Sequence, residues 1–436
     1  MQPIDTLIVA AHVVPVATRG ALADHAVAIE GERIVAVLPR AQALERYRAR
    51  RVVSLERHVL IPGLVNLHCH AAMTLMRGLA DDVPLMTWLK DRIWPAEAKH
   101  VSDEFCHDGS LLAMAEMLRG GTTCVNDMYF FPGATARAAL RAGMRASLGV
   151  VAIDFPSAYA TDAHDYMKKG LETRDAYRGE PLLRFCLAPH APYTVGDETL
   201  KRVVVLAEEL DVPIHCHVHE TADETTQGNN QHGMRPFERL RRLGVVGPRL
   251  IAVHSVHMED AELDVMAREG VSVAHCPSSN LKLASGIARV AAMKARGINV
   301  GVGTDSAASN NRLDMFTEMR TAALLAKGTS GDAAAVDAQS ALRMATLDAA
   351  RALGLEGDIG SIEPGKLADL AAVELSSLET VPCFDPLSHL VYCAGRENVT
   401  HVWVGGEPRL EERRLAGLDE PDLREKAAWW RRKLLP

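Results

Sequence analysis

The chain has 436 residues, 48% hydrophobic and 24% charged, the balance of a globular protein with a sizeable core. Its formal net charge of −8 argues against nucleic acid and anionic membranes as partners, since both need a basic patch. No apolar run approaches the ~18 residues of a membrane span, and Met1 to Val16 lacks the basic start of a signal peptide.

Residues 1–56 carry short β segments at 6–10, 26–30, 33–38 and 51–54, with Glu30-Gly31-Glu32 as a turn. From residue 57 apolar runs recur at 58–67, 122–127, 146–153, 182–188, 212–218, 249–254, 271–275 and 298–303. Helical periodicity fills the gaps, as in 103–119, 199–210 and 260–268. Eight β runs separated by helices predict an α/β fold, a (β/α)8 TIM-like barrel, over residues 57–360. An open doubly wound sheet would need a glycine-rich phosphate loop after the first run, and His68-Cys69-His70 stands there instead. Helical segments at 314–325 and 335–353 follow, and β character returns at 359–373 and 399–404. The two ends are expected to pair, so that residues 1–56 and 361–415 build one small β-sandwich. Residues 416–436 hold an amphipathic helix whose Trp429 and Trp430 read as a docking face. The eight cysteines show no paired spacing, which fits buried thiols in a reducing, cytoplasmic setting.

In a barrel of this kind chemistry sits at the C-terminal strand ends. The first run ends in His68 and His70, which share a face because strand residues alternate. The fourth run ends near His190, the fifth in His215-Cys216-His217-Val218-His219-Glu220, the sixth in His254, the seventh in His275 and the eighth in Asp305. A hydrolytic zinc site wants three or four N/O ligands and an open position. His68, His70, one histidine of the fifth run and Asp305 meet that count, and Glu220 lies outside the histidine alternation, as a proton donor should. His254 could stabilise developing negative charge. Plainer roles stay open: core hydrogen bonding for His215 and His219, structural roles for His257 and His275, a helix cap for Asp305, and a solvated helix carboxylate for Glu97.

These stretches resemble the amidohydrolase superfamily, in its cytosine- and adenosine-type deaminase branch. The resemblance rests on Pro62 to His70, His217 to Thr221, His254, His275 to Asn280, Gly303 to Asn311 and the tail Ile359 to Leu370. Trp88 to Glu97 makes it most similar to the 5-methylthioadenosine/S-adenosylhomocysteine deaminases. The resemblance implies zinc on His68, His70, His217 and Asp305, and Glu220 as the acid that protonates N1 of a purine. It implies that His254 and Asp305 handle the attacking water, that Glu97 binds ribose hydroxyls, and that His190 contacts the nucleoside. Binuclear relatives bridge two metals through a lysine on the fourth strand; Leu182 to Ala188 contains none, so one zinc per chain is expected.

The leading expectation is therefore a hydrolase acting on C–N bonds of cyclic amidines. It would convert 5′-methylthioadenosine, S-adenosylhomocysteine or adenosine to the inosine analogue plus ammonia. The alternatives are a deaminase or chlorohydrolase of another heteroaromatic ring, such as guanine or a triazine, and a scaffold that has lost catalysis. The expected partner is a small nucleoside, with no nucleic acid and no membrane, and a homo-oligomer is compatible with the sequence.

Overall fold

The computed structural model describes residues 1–435. They form two compact units: residues 1–66, 115–124 and 314–418, and residues 67–114, 125–313 and 419–435.

In the first unit both chain ends contribute to one eight-stranded sheet. Its order is Arg414–Leu415, Glu407–Glu411, Val399–Val404, Leu370–Glu374, Tyr47–Pro62, Gln2–Val13, Leu22–Glu30 and Arg33–Pro39. The seam between the ends is the antiparallel pairing of Leu370–Glu374 with 58–62, Leu370 opposite Pro62. Successive residues feed opposite faces, as the strand period requires: Ile8, Val27, Ile29 and Leu60 enter one core with Trp403, and Leu7, Val9, Ala26 and Ala28 another. Both faces are thus apolar, and the sheet depends on its full set of strands. Deleting residues 1–56 leaves 58–62 opposite Leu370–Glu374, contrary to the expectation that the late strand would lose its partner. It still removes three strands and most of a fourth, bares the core that Ile8, Val27 and Ile29 share with Leu60 and Trp403, and is expected to give insoluble protein. A truncated chain that ran as a monodisperse, active species in size-exclusion chromatography would contradict this.

The late β stretch is shorter than its sequence implies. Residues 359–369 are turns and irregular chain apart from one bridge, Leu367 opposite Arg33, because Gly360 (φ +86°) and Gly365 (φ +95°) bend it, and the strand begins at Leu370. The helical segment expected over 335–353 is two helices, Ala338–Met344 and Leu347–Ala352. The carbonyl of Ala345 accepts the Val65 amide at 2.8 Å instead of continuing the helical ladder.

The second sheet holds eight consecutive strands in the order of the chain: Leu64–Cys69, Thr122–Asp127, Arg145–Ala152, Leu183–Pro189, Ile214–Val218, Leu250–His254, Ser272–His275 and Asn299–Val302. Its recorded ladders are parallel, and helices such as Asp103–Arg119, Asp197–Leu210 and Asp260–Glu269 lie between strands in the chain. This is the expected TIM-like barrel. Past the last strand, the Asp305 amide donates to His68 O at 3.0 Å, bringing the eighth strand's end to the first. That approach needs Gly303, where an added Cβ would stand 2.6 Å from the His68 nitrogen. The apolar run 58–67 does not form one strand. It breaks at Pro62-Gly63, and only from Leu64 does it enter the barrel.

After the first strand the chain runs through short helical pieces: a 3-10 turn Ala71–Met76, a turn of α-helix Leu85–Trp88, a π turn Leu89–Ile93 and Trp94–His100. Met73, Met76, Trp88 and Ile93 pack with Phe105, Tyr129, Leu283 and Trp430. The C-terminal helix Glu420–Leu434 docks in the same unit, its Trp430 buried with Nε1 donating to Asp108 Oδ2 at 3.1 Å. Among the described residues no helix is long and apolar enough to cross a membrane, and all eight cysteines are free.

Candidate active site

The strand-end histidines converge. Ring centroids of His68 lie 4.7 Å from His70, 4.9 Å from His217 and 5.7 Å from His254. In each, Nδ1 is engaged away from the centre. His70 Nδ1 pairs with Met128 O, His217 Nδ1 with His190 O at 2.7 Å, His254 Nδ1 with Asn280 Oδ1 at 2.8 Å, and His68 Nδ1 with His215 Nε2 at 2.9 Å. A carbonyl oxygen can only accept, so His70 and His217 carry their proton on Nδ1 and leave Nε2 as a lone pair. Asp305 faces them, its Oδ1 3.4 Å from Nε2 of both His68 and His70. Its Oδ2 accepts from Ser279 Oγ at 2.6 Å and Ser309 Oγ at 2.9 Å, so the carboxylate cannot swing away.

This arrangement suits a metal ion. Two groups place their donor atoms within 4.8 Å of one another: His68 with His70 and Asp305, and His68 with His217 and His254. His68 Nε2 is fully buried without a hydrogen-bond partner, a state that is costly unless something else binds the lone pair. Burial also pushes the His68 ring down to about 4, which keeps it neutral and able to ligate. Secondary partners of this kind orient ligands and set their tautomers. Asp305 is not a helix cap: it holds the Ser306 amide, and the next helix, Met315–Ser330, is capped by Asp314.

The barrel strands reach this site through strained backbone. His219 (φ +51°), His254 (φ +67°), Ser255 (φ +48°) and Asp305 (φ +59°) are left-handed without being glycine. Such residues cost on the order of 1–3 kcal/mol each and persist only where neighbours over-determine them. His219 shows how: Nε2 accepts the Phe237 amide at 3.0 Å, and its carbonyl accepts the amides of Val256 and His257. Its ring is therefore structural and points away from the metal-capable cluster, whereas His215 supports His68 from below.

A cavity of about 590 Å³ opens over the cluster, with His70, His190, His217, Glu220, His254 and Asp305 among its lining. Glu220 Oε2 lies 3.8 Å from His254 Nε2. Burial, with Asp305 adding to it, pushes the Glu220 carboxyl up to about 8, so it holds a proton at neutral pH. Glu97 is no solvated helix carboxylate. It lines the cavity, accepts a 2.6 Å hydrogen bond from Tyr129 OH, and is pushed up to about 7 by burial against that bond. His190 is fixed by Thr194 Oγ1 at 2.9 Å and kept neutral by burial, its ring driven down to about 3.

Sequence reasoning points to the aromatic loops 128–133 and 154–159 as wall, but it misses Tyr129, Asn280, Ser279 and Ser309 as hydrogen-bond partners and the helical part of the wall. Leu85, Trp88, Leu89, Ile93 and Trp94 line the cavity beside Phe130, Val151, Ile153, Phe155 and Ala158. The two tryptophans were visible as a motif, but nothing local tells a pocket wall from a packed helix face.

A family profile described as Amidohydrolase family matches residues 59–409. A 5-methylthioadenosine/S-adenosylhomocysteine deaminase of Teredinibacter turnerae is 48% identical over 94% of this chain and 93% of its own. The solved structure of an adenosine deaminase from Xanthomonas campestris, with bound zinc, is 51% identical, covers 99% of both chains and superposes with a TM-score of 0.98. A variant of an atrazine chlorohydrolase from Arthrobacter aurescens, complexed with zinc and atraton, is 25% identical over 98% of this chain and 99% of its own, with a TM-score of 0.89.

Proposed function

The chain belongs to the amidohydrolase family, and from that premise we propose that it is a zinc-dependent hydrolytic deaminase of 6-aminopurine nucleosides. It acts on 5′-methylthioadenosine, S-adenosylhomocysteine or adenosine, replacing the 6-amino group by oxygen from water and releasing ammonia. One observation carries the reading: a proton-holding Glu220 at the metal-capable end of a cavity whose wall presents a second, partly buried carboxylate, Glu97.

The metal we propose is one zinc per chain on His68, His70, His217 and Asp305, which fits the unpartnered Nε2 of His68 and a fourth strand without lysine. When bound, zinc supplies Lewis acidity that makes water nucleophilic at neutral pH. The protein's residues do the rest. Glu220 delivers its proton to purine N1, so that the ring accepts the nucleophile at C6. His254, with Nδ1 tied to Asn280, presents Nε2 to the cavity to take a proton from the water, and Asp305, held by two serine hydroxyls, is the second acceptor. The proton taken from the water then passes from His254 or Asp305 to the amine at C6, which departs as ammonia, and the new hydroxyl's proton returns to Glu220. Glu97, oriented by Tyr129, accepts hydrogen bonds from the ribose hydroxyls, and His190 contacts the nucleoside. In this reading residues 57–360 carry catalysis, residues 1–56 with 361–415 are the small terminal domain, and 416–436 a docked helix. A cytoplasmic setting is supported by the eight free cysteines.

Ammonia release from purified protein tests the proposal against the other ring chemistries. Adenine nucleosides should be turned over, and guanine and chlorinated triazines should not; the reverse order would overturn it.

Within the nucleosides, the wall sets an expected preference. The loops 128–133 and 154–159 contribute Met128, Tyr129, Phe130, Phe155, Pro156, Ser157 and Ala158, and no lysine or arginine lines the cavity among the described residues. An amino-acid tail needs a basic partner for its carboxylate, and burying that charge unpaired is costly. A methylthio group gains sulfur–aromatic contact on the same surface. Methylthioadenosine should therefore exceed S-adenosylhomocysteine in kcat/KM by about tenfold or more, equivalent to ~1.4 kcal/mol. Equal values in steady-state kinetics would show that the tail is partnered or solvated after all.

A further inference from the structure

Thr221 to Glu224 has the form of a capping box, in which a threonine caps a helix and a glutamate three residues on reaches back to the cap's own amide. Half of that box is present. Thr221 Oγ1 accepts the Glu224 amide at 3.3 Å and starts the helix Ala222–His232. The carboxylate goes elsewhere: Glu224 Oε1 accepts the His219 amide and Oε2 the Glu220 amide, both at 2.8 Å. Glu224 is 5% exposed, so this fork is shut off from water.

The two amides converge because His219 is left-handed. A backbone turned this way aims successive N–H groups at one point and forms a small anion nest. Here the anion is internal. His219 is also held through its ring and carbonyl, but those bonds fix the residue before the acid. The Glu220 amide, from which the acid side chain projects toward His254, is held by Glu224.

We infer that Glu224 is a positioning residue for the reaction: its carboxylate clamps the successive amides of His219 and Glu220 so that the Glu220 carboxyl is aimed at the substrate ring. The inference rests on the deaminase reading for its kinetic consequence but not for its structural one. Glu224 touches no substrate. It acts by removing the freedom of Glu220 to turn, and misplacing a reacting group by about 1 Å can cost roughly 100-fold in rate.

The test compares Glu224→Ala, Glu224→Gln and, as a control on the same helix, Thr221→Ala in the zinc-loaded full chain. Glu224→Ala should keep its zinc and its KM for methylthioadenosine while kcat falls about 100-fold. Glu224→Gln retains one acceptor but turns an NH2 donor toward the other amide, so its kcat should fall in between. Thr221→Ala should lower the melting temperature with kcat near wild type. Hydrogen exchange of the peptide 215–221, read by mass spectrometry, should accelerate in the Glu224 variants and not in Thr221→Ala. Wild-type kcat in both Glu224 variants, or an equal fall in Thr221→Ala, would overturn the inference, as would unchanged exchange. Should Glu224→Ala not fold, the near-isosteric Glu224→Gln decides by the same readouts. If the wild type releases no ammonia from any nucleoside, the deaminase reading fails, and the exchange measurement still judges the clamp.

Discussion

Glu220→Gln is expected to keep its metal and lose ~10²–10⁴-fold of its turnover, the usual worth of a positioned general acid. The amide has nearly the shape of the acid and would sit at the same place near His254, but it has no acidic proton to deliver to N1. The enclosure that raises the wild-type carboxyl to about 8 gives the result a pH signature. An acid whose folded-state value is raised holds its proton below that value and loses it as pH rises through it. Turnover by the wild type should therefore decline on the basic side, and Glu220→Gln should lack that limb. Metal analysis beside kinetics reads the outcome. A variant that lost its zinc would make Glu220 a ligand and require another mechanism.

His68→Ala and His217→Ala are each expected to lose metal and activity together, with turnover falling below detection. Each removes a donor from a set of three or four, and secondary hydrogen bonds cannot substitute for it. His68 should be the more severe, since it belongs to both metal-capable groups while His217 belongs to one. Zinc content by atomic absorption, measured with ammonia release, checks this. The wild type should hold about one ion per chain, as three or four donors imply. Two tightly held ions per chain would refute the mononuclear site, and a His68→Ala variant with full zinc would remove His68 from it.

The barrel could be read from the chain because its signal is local and repeated. Eight apolar runs of strand length, separated by helical periodicity, leave few ways to bury every run, and the histidines at the run ends follow from strand alternation. Where the signal was local but interrupted, the reading slipped. The apolar run 58–67 spans two strands, and Pro62-Gly63, which breaks it, is the point where the chain leaves one sheet for the other. The segment 359–369 kept β-like composition, yet its glycines bend it so that it forms no strand and only bridges the edge strand, Leu367 opposite Arg33.

What the sequence determined by itself is the barrel and the histidine and acid donors at its strand ends, since each depends on patterning within a few residues, whereas the joining of both termini rests on the pairing of Leu370–Glu374 with 58–62, far apart in the chain. What only the tertiary structure decided is how those donors are held and what they face. The Nδ1 partners of His68, His217 and His254 lie 147, 27 and 26 residues away in the chain, and Tyr129 meets Glu97 across 32. No local propensity encodes such pairs, because they arise where separate elements pack. The same reason separates Glu97 on a cavity wall from Glu97 in solvent, and Glu224 in an ordinary helix cap from Glu224 on the backbone of the acid. In both cases the residue type is fixed by the sequence, and its chemistry by the neighbours that folding brings to it.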